Sequence, residues 1–196
     1  MTSEQIGQRI IDRATSFLGL HETASNAAWD NPATAGADAA AQELLKALEA
    51  TGWQKGWAYC ASLVEAVWRS AYVDAQAPAA LVQRISTLLT PSVMQSFNNC
   101  NGAQPDRLIA RSPIPGAIFF LQKGQSGFGH AGLYVRSGAA GSNVFATIEG
   151  NTSDPSAVST EEREREGEGI YKKTRRLDYT PKPGLWLRGF LNPIPW

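Results

Sequence analysis

Hydrophobic spacing changes once along this chain, at "RSPIPG" (111–116), and that switch restricts the folds open to it. Before it, apolar side chains recur every three to four residues. After it, β-branched and aromatic residues come in short runs cut by glycine-rich turns. From Glu4 to Leu18, Ile6, Ile10, Ala14, Phe17 and Leu18 fall on one side and Arg9, Asp12 and Arg13 on the other, which predicts a helix that stops near Gly19. A polar loop follows over 21–38, rich in Asn, Thr, Gly and Pro. Helical spacing resumes in "AAAQELLKALEATG" (39–52). It returns in "AYCASLVEAVWRSAYV" (58–73), where Leu63, Val64, Val67, Trp68 and Ala71 form a stripe. Residues 81–97 are also helical, broken or restarted at Pro91.

Beyond the switch, "AIFFLQ" (117–122), "HAGLYVR" (130–136) and "NVFATIEG" (143–150) read as strands. Two shorter strands fit "GIYKKTRR" (169–176) and "LWLRGF" (185–190). Helices followed by strands give an α+β class, with N-terminal helices packed on a C-terminal antiparallel sheet of about five to six strands. No linker or repeat divides the chain, so one domain over 1–196 is expected, helical to about 100 and β from about 113 to 192. "STEEREREGEGI" (159–170) alternates charges that no core accepts, and reads as a solvated loop or hairpin end.

The 18 basic and 18 acidic side chains cancel, which disfavours a protein held by nucleic-acid phosphates or anionic lipid. The start lacks a basic stretch followed by an apolar run, and no segment has the length to insert in a bilayer. The expectation is a chain without a classical signal peptide, made in the cytoplasm. Cys60 and Cys100 are too few for a disulfide scaffold.

Chemistry concentrates in three places. Cys60 stands at the front of the third helical stripe, where unpaired N–H groups favour a thiolate. A buried cysteine acting as a small hydrophobe is the competing reading. His130 opens a strand in "GFGHAGLYV", and Glu149 and Asn151 end the next one in "IEGN". Residues two apart on a strand point to one face, so Glu149 and Asn151 could both face His130. A cysteine, a histidine and a polar orienting group on separate elements are the parts of thiol-based acyl transfer. The order Cys, His, then an acid or amide also occurs in papain-like enzymes.

"YCASLV", "PGAIFF", "GHAGLYV" and "IEGN", in that order, resemble the CHAP domain, a papain-like amidohydrolase module of bacterial and phage peptidoglycan hydrolases in the NlpC/P60-type superfamily. "FLGLHE" and "GEGIYKKTRR" look like the segments that flank this core, so the resemblance spans about Ile6 to Phe190. It implies that Cys60 is the nucleophile, His130 its base, Glu149 the group that orients the imidazole, and Asn151 a further polar member. Ala58 and Tyr59 stand where the family often has Pro-Trp, which implies altered substrate contacts. Ala117 stands where it often has Asp, which bears on fine geometry.

Gln54 lies six residues before Cys60, the offset of a papain-type oxyanion glutamine; a solvent-facing loop glutamine is the competing reading. Trp53, Trp57 and Tyr59 could wall a groove for glycan or peptide, or pack as core. His21 beside Glu22 lacks the spacing of a metal site and reads as structural; Cys100 reads as a bystander in turn-like sequence. Asp30, Asp38 and Asp154 are too scattered for a calcium loop, and no cofactor is implied.

The resemblance implies a peptidoglycan amidohydrolase that cuts either the bond between muramic acid and L-alanine or one within the stem peptide. It would act on the cell wall after lysis or dedicated export, with an immunity or delivery partner open. A papain-like deamidase, transglutaminase or protease acting on protein is one alternative. A non-catalytic binding or structural module of a phage or secretion apparatus is another.

Overall fold

The computed structural model describes residues 1–24, 28–30, 37–103, 107–153 and 169–196. Its first helix, α1 (Ser3–Thr15), starts with a capping box. The Thr2 side chain accepts from the Gln5 N–H, and the Gln5 side chain accepts from the Thr2 N–H. Ile6, Ile10 and Ala14 are buried along the expected face. Helices α2 (Ala37–Glu49), α3 (Cys60–Asp74), α4 (Ala79–Leu88) and α5 (Val93–Asn101) follow. The break between α4 and α5 falls at Pro91, whose ring cannot sit inside a continuous helix, and Ser92 caps the restart through the Gln95 N–H.

Central to the molecule is α3. Its stripe Leu63, Val64, Val67, Trp68 and Ala71 is buried as the spacing predicts, and the helix packs on α1, α2, α4 and the middle of the sheet. Trp68 donates its indole N–H to the Gly116 carbonyl at 3.0 Å, which ties α3 to the turn that leads into the sheet. Among the described residues no helix is long and apolar enough to cross a membrane.

The strands are β1 (His21–Ala24), β2 (Ala28–Asp30), β3 (Ile109–Ala110), β4 (Ile118–Lys123), β5 (Gly129–Ser137), β6 (Val144–Thr152), β7 (Gly169–Arg176) and β8 (Leu185–Leu191). They form one antiparallel sheet in the order β2-β1-β7-β6-β5-β4-β8-β3. Among the described residues the sheet therefore has eight strands rather than five to six. The five expected runs are present, and the additions are short edge strands without a readable period. β1 and β2 lie inside the segment expected to be a loop. Pairing makes the strand there despite poor local propensity: Gly19 donates to Ile170 and Ile170 to Leu20 across the β7 edge. β3 has two residues and is defined by its bonds to β8.

Two buried clusters fill the structure. The larger joins helix residues such as Ile10, Leu44, Trp68 and Phe97 to Ile118, Phe120, Leu133 and Ile148 on one sheet face. The second is made by strand residues on the other face, where Phe119, Tyr134, Phe145 and Phe190 meet at centroid distances of 5.6–6.0 Å. Ala117, in the place where the resemblance leads one to expect Asp, is buried in this second cluster. Cys100 lies in α5 rather than in a turn, and is fully buried. The acidic run at 161–168 and Asp154 fall outside the described residues, as do the side chains of Asp30 and Asp38.

Candidate active site

Cys60 is the first residue of α3, and its neighbourhood follows from how that helix begins. The N-cap is Tyr59, whose side chain makes no capping bond, and the first helical hydrogen bond runs from Leu63 N–H to the Tyr59 carbonyl at 2.8 Å. The N–H groups of the opening turn are thus left to other acceptors. The Ala61 N–H and, across the layer, the Ala131 N–H of β5 favour the charged form of the Cys60 sulfur. A thiolate here takes the place that a Ser or Asp side chain fills at an ordinary helix start.

Two glycines make room for this arrangement. A Cβ at Gly150 would lie 2.4 Å from Leu63 Cδ2, so α3 rests directly on the β6 backbone. A Cβ at Gly132 would lie 2.7 Å from the Phe119 ring and 2.8 Å from Glu149 Cγ, so the absent side chain is what lets Glu149 lie across β5.

His130 donates from Nε2–H to Glu149 Oε2 at 2.8 Å, which leaves Nδ1 for the thiol. Glu149 is fully buried and its two oxygens are crowded with donors. Thr147 Oγ1 donates to Oε1 at 2.6 Å, Arg175 Nε to Oε1 at 2.8 Å, and Arg175 Nη2 to Oε2 at 2.5 Å. A buried carboxylate without such partners would be expelled or protonated. Here burial pushes the Glu149 carboxyl up, but the His130 and Arg175 bonds and charges outweigh it and hold the group well below the usual carboxylate range.

The same balance operates at the other two groups. Burial raises the Cys60 thiol, yet the hydrogen bond and charge of His130, with the Ala131 and Ala61 N–H groups, bring it below its ordinary value. Burial lowers the His130 imidazole, yet bonding to Cys60 and Glu149 carries it up to about 9. Opposite shifts on adjacent groups are what a thiolate–imidazolium pair requires. Cys100 is the internal contrast: burial alone raises its thiol to about 12. We therefore expect iodoacetamide at pH 7 to modify Cys60 and leave Cys100 intact, as read by peptide mass mapping of the folded protein. Modification of Cys100 at a similar rate would contradict this reading of the site.

Cys60, His130 and Glu149 are thus gathered as the sequence leads one to expect, and Asn151 is not bonded to the imidazole. The β6–β7 register slips between Glu149 and Thr152, and Asn151 takes a left-handed φ of 55° in that bulge. The bulge breaks the two-residue alternation on which a shared face depends. Asn151 is buried, and its Oδ1 has no hydrogen-bond partner among the described residues.

The flanking aromatics divide. Trp57 is 47% exposed, which leaves its ring open to a ligand. Tyr59, read as a possible groove wall, is instead fully buried beneath Gly150, so its aromatic body is core. Gln54 stands exposed in a turn closed by the Trp57 N–H to Gln54 carbonyl bond at 3.0 Å. His21 sits on β1, paired in register with Asp30 and Gly169. Among the described residues no group of His, Cys, Asp and Glu side chains is placed to hold a metal ion.

Sequence reasoning missed Thr147 and Arg175. A signal for both exists in alternation: Thr147 is two residues before Glu149, and Arg175 shares the half-buried face of β7 with Tyr171 and Lys173. What the sequence lacks is the register that sets β7 beside β6, with Phe145 opposite Arg175 and Glu149 opposite Tyr171. Comparison of the chain with protein-family models, curated proteins and solved structures finds no match.

Proposed function

We propose that this protein is a cysteine-dependent amidohydrolase of the cell wall, cutting either the muramoyl–L-alanine amide or an amide of the stem peptide. One observation carries the chemical part: His130 is bonded to Glu149 and Glu149 to Arg175, and His130 acts on Cys60 so that the thiol is shifted down and the imidazole up. Helices packed on an antiparallel sheet, with a nucleophile at a helix start and its base on a strand, also suit a papain-like hydrolase. The choice of a wall amide rests on the resemblance of "YCASLV", "GHAGLYV" and "IEGN" to CHAP domains.

In this reading the Cys60 thiolate adds to the amide carbonyl carbon, and the carbonyl π electrons move onto oxygen. The Cys60 backbone N–H, at the helix start, donates to that oxyanion. On collapse the C–N bond breaks and the imidazolium of His130 gives its proton to the departing amine. Neutral His130 then takes a proton from water, which attacks the thioester; the acid leaves and the thiolate–imidazolium pair is restored. Glu149 holds the imidazole in orientation and favours its charged form, while Thr147 and Arg175 hold Glu149.

Digestion of purified peptidoglycan by the wild type and by Cys60→Ala, with mass spectrometry of the soluble products, tests the proposal. Fragments made only by the wild type are expected, and their masses identify the amide that is cut. If walls of several chemistries yield no product while a protein substrate loses amide nitrogen or is cleaved, the wall assignment fails and the thiol chemistry stands.

A further inference from the structure

Away from the thiol, a groove of about 440 Å³ opens where the end of α5 meets β3 and β8. Arg107, Arg111 and Arg188 line it, and among the described residues the lining contains no acidic side chain. For a chain whose charges cancel overall, three guanidiniums on one groove are a concentrated positive field.

Their bonding makes them available. Arg111 lies over the Tyr179 ring at 4.3 Å, and Arg188 lies over Phe97 at 4.3 Å and Trp186 at 5.0 Å. Stacking uses the flat faces of a guanidinium and leaves its in-plane N–H edges pointing elsewhere. Arg188 spends one edge on Gln122. Among the described residues, no carboxylate pairs with any of the three. Arg107 and Arg111 are exposed. Asp178, beside Tyr179, is engaged by Lys182 at 2.9 Å. The carbonyl end of α5 supplies about half a negative charge, well short of balancing three cations.

We propose that this groove binds a phosphate-bearing ligand that carries more than one negative charge. Planar forks held by ring stacking suit oxyanions, and three of them exceed what a single carboxylate would neutralise. Tyr179, Trp186 and Ile109 add an apolar border for the part of the ligand that carries the phosphate. The site is separate from Cys60 and does not depend on the hydrolase reading.

The test is titration calorimetry of the full chain with sodium tripolyphosphate in 150 mM salt. The comparison set is Arg111→Gln, Arg107→Gln/Arg111→Gln, Arg111→Lys, and Lys46→Gln, an exposed lysine on α2. One saturable site is expected, weakened at least 10-fold in the double variant. Arg111→Lys, which keeps the charge but loses the fork, should be intermediate, and Lys46→Gln should match the wild type. Thermal midpoints measured without ligand establish that the variants are folded. Absence of saturable binding overturns the proposal, as does an equal loss in Lys46→Gln, the sign of diffuse charge screening. Citrate binding as tightly as tripolyphosphate overturns the assignment to phosphate.

Discussion

His130→Ala is expected to lower hydrolysis by roughly 10⁴-fold or more, the scale on which removing one member of a cooperating nucleophile–base set acts. It should also slow alkylation of Cys60 at pH 6, and this second effect isolates the cause. A thiol at the ordinary value of 9.0 is ionised about one part in a thousand at pH 6. In the folded protein His130 is what overcomes the burial of Cys60, so without it burial pushes the thiol upward. A more basic thiolate is also a better nucleophile, which offsets part of that loss. A slower reaction at pH 6 is therefore expected, with the gap closing as the pH rises and the variant's thiol ionises in turn. Equal rates at pH 6 would show that the thiolate does not owe its existence to the imidazole. Wild-type hydrolysis should itself fall above about pH 9, where His130 loses its proton. The sign carries over to stability. The folded value lies above 6.5, so the charged imidazole favours the folded chain below pH 6.5, and that contribution fades as pH rises from there through about 9.

How much of this was legible in the sequence depends on the range over which each feature is encoded. Helix starts and stops are local, and Gly19, Pro91 and Ser92 mark theirs. The five main strands are readable because each carries its own alternation or apolar run. β1, β2 and β3 exist through bonds to β7 and β8, which no window of sequence displays. The site divides in the same way. Cys60 and His130 are visible from the elements they begin, and Glu149 from its place at a strand end. The bulge that takes Asn151 out of alternation hides in the pair Gly150-Asn151, which reads equally well as the end of the strand. Arg175 reaches Glu149 only through inter-strand register, and Tyr59 looks accessible in sequence because the close approach of Gly150 is a tertiary fact.

Arg175→Met is expected to destabilise the fold by roughly 2–3 kcal/mol at pH 7. Removing one partner of a buried pair costs about 3–5 kcal/mol, because it strands the other charge. The figure is reduced here because the Arg175 side chain is 20% exposed and because Thr147 and His130 remain on the carboxylate. The pH dependence follows from Glu149, whose folded carboxyl is held below its ordinary 4.5. Its contribution is present above that value and is lost as the pH falls below it, so the gap between wild type and variant should narrow under acid conditions. Urea denaturation at pH 7 and pH 4 measures both. The double variant Glu149→Gln/Arg175→Met removes both charges and should recover part of the stability, a coupling that the four-protein cycle reads directly. Activity should not recover with it. Loss of Arg175 alone frees Glu149 to shift, and a displacement of about 1 Å can cost up to about 100-fold in rate. Glu149→Gln, by removing the charge that supports the imidazolium, should move the alkaline limb of the rate profile down from about 9 toward 6.5. If Arg175→Met were as stable as the wild type at pH 7 and kept its rate, Thr147 and His130 alone would satisfy the buried carboxylate. The arginine would then be a neighbour of the site with no part in holding it.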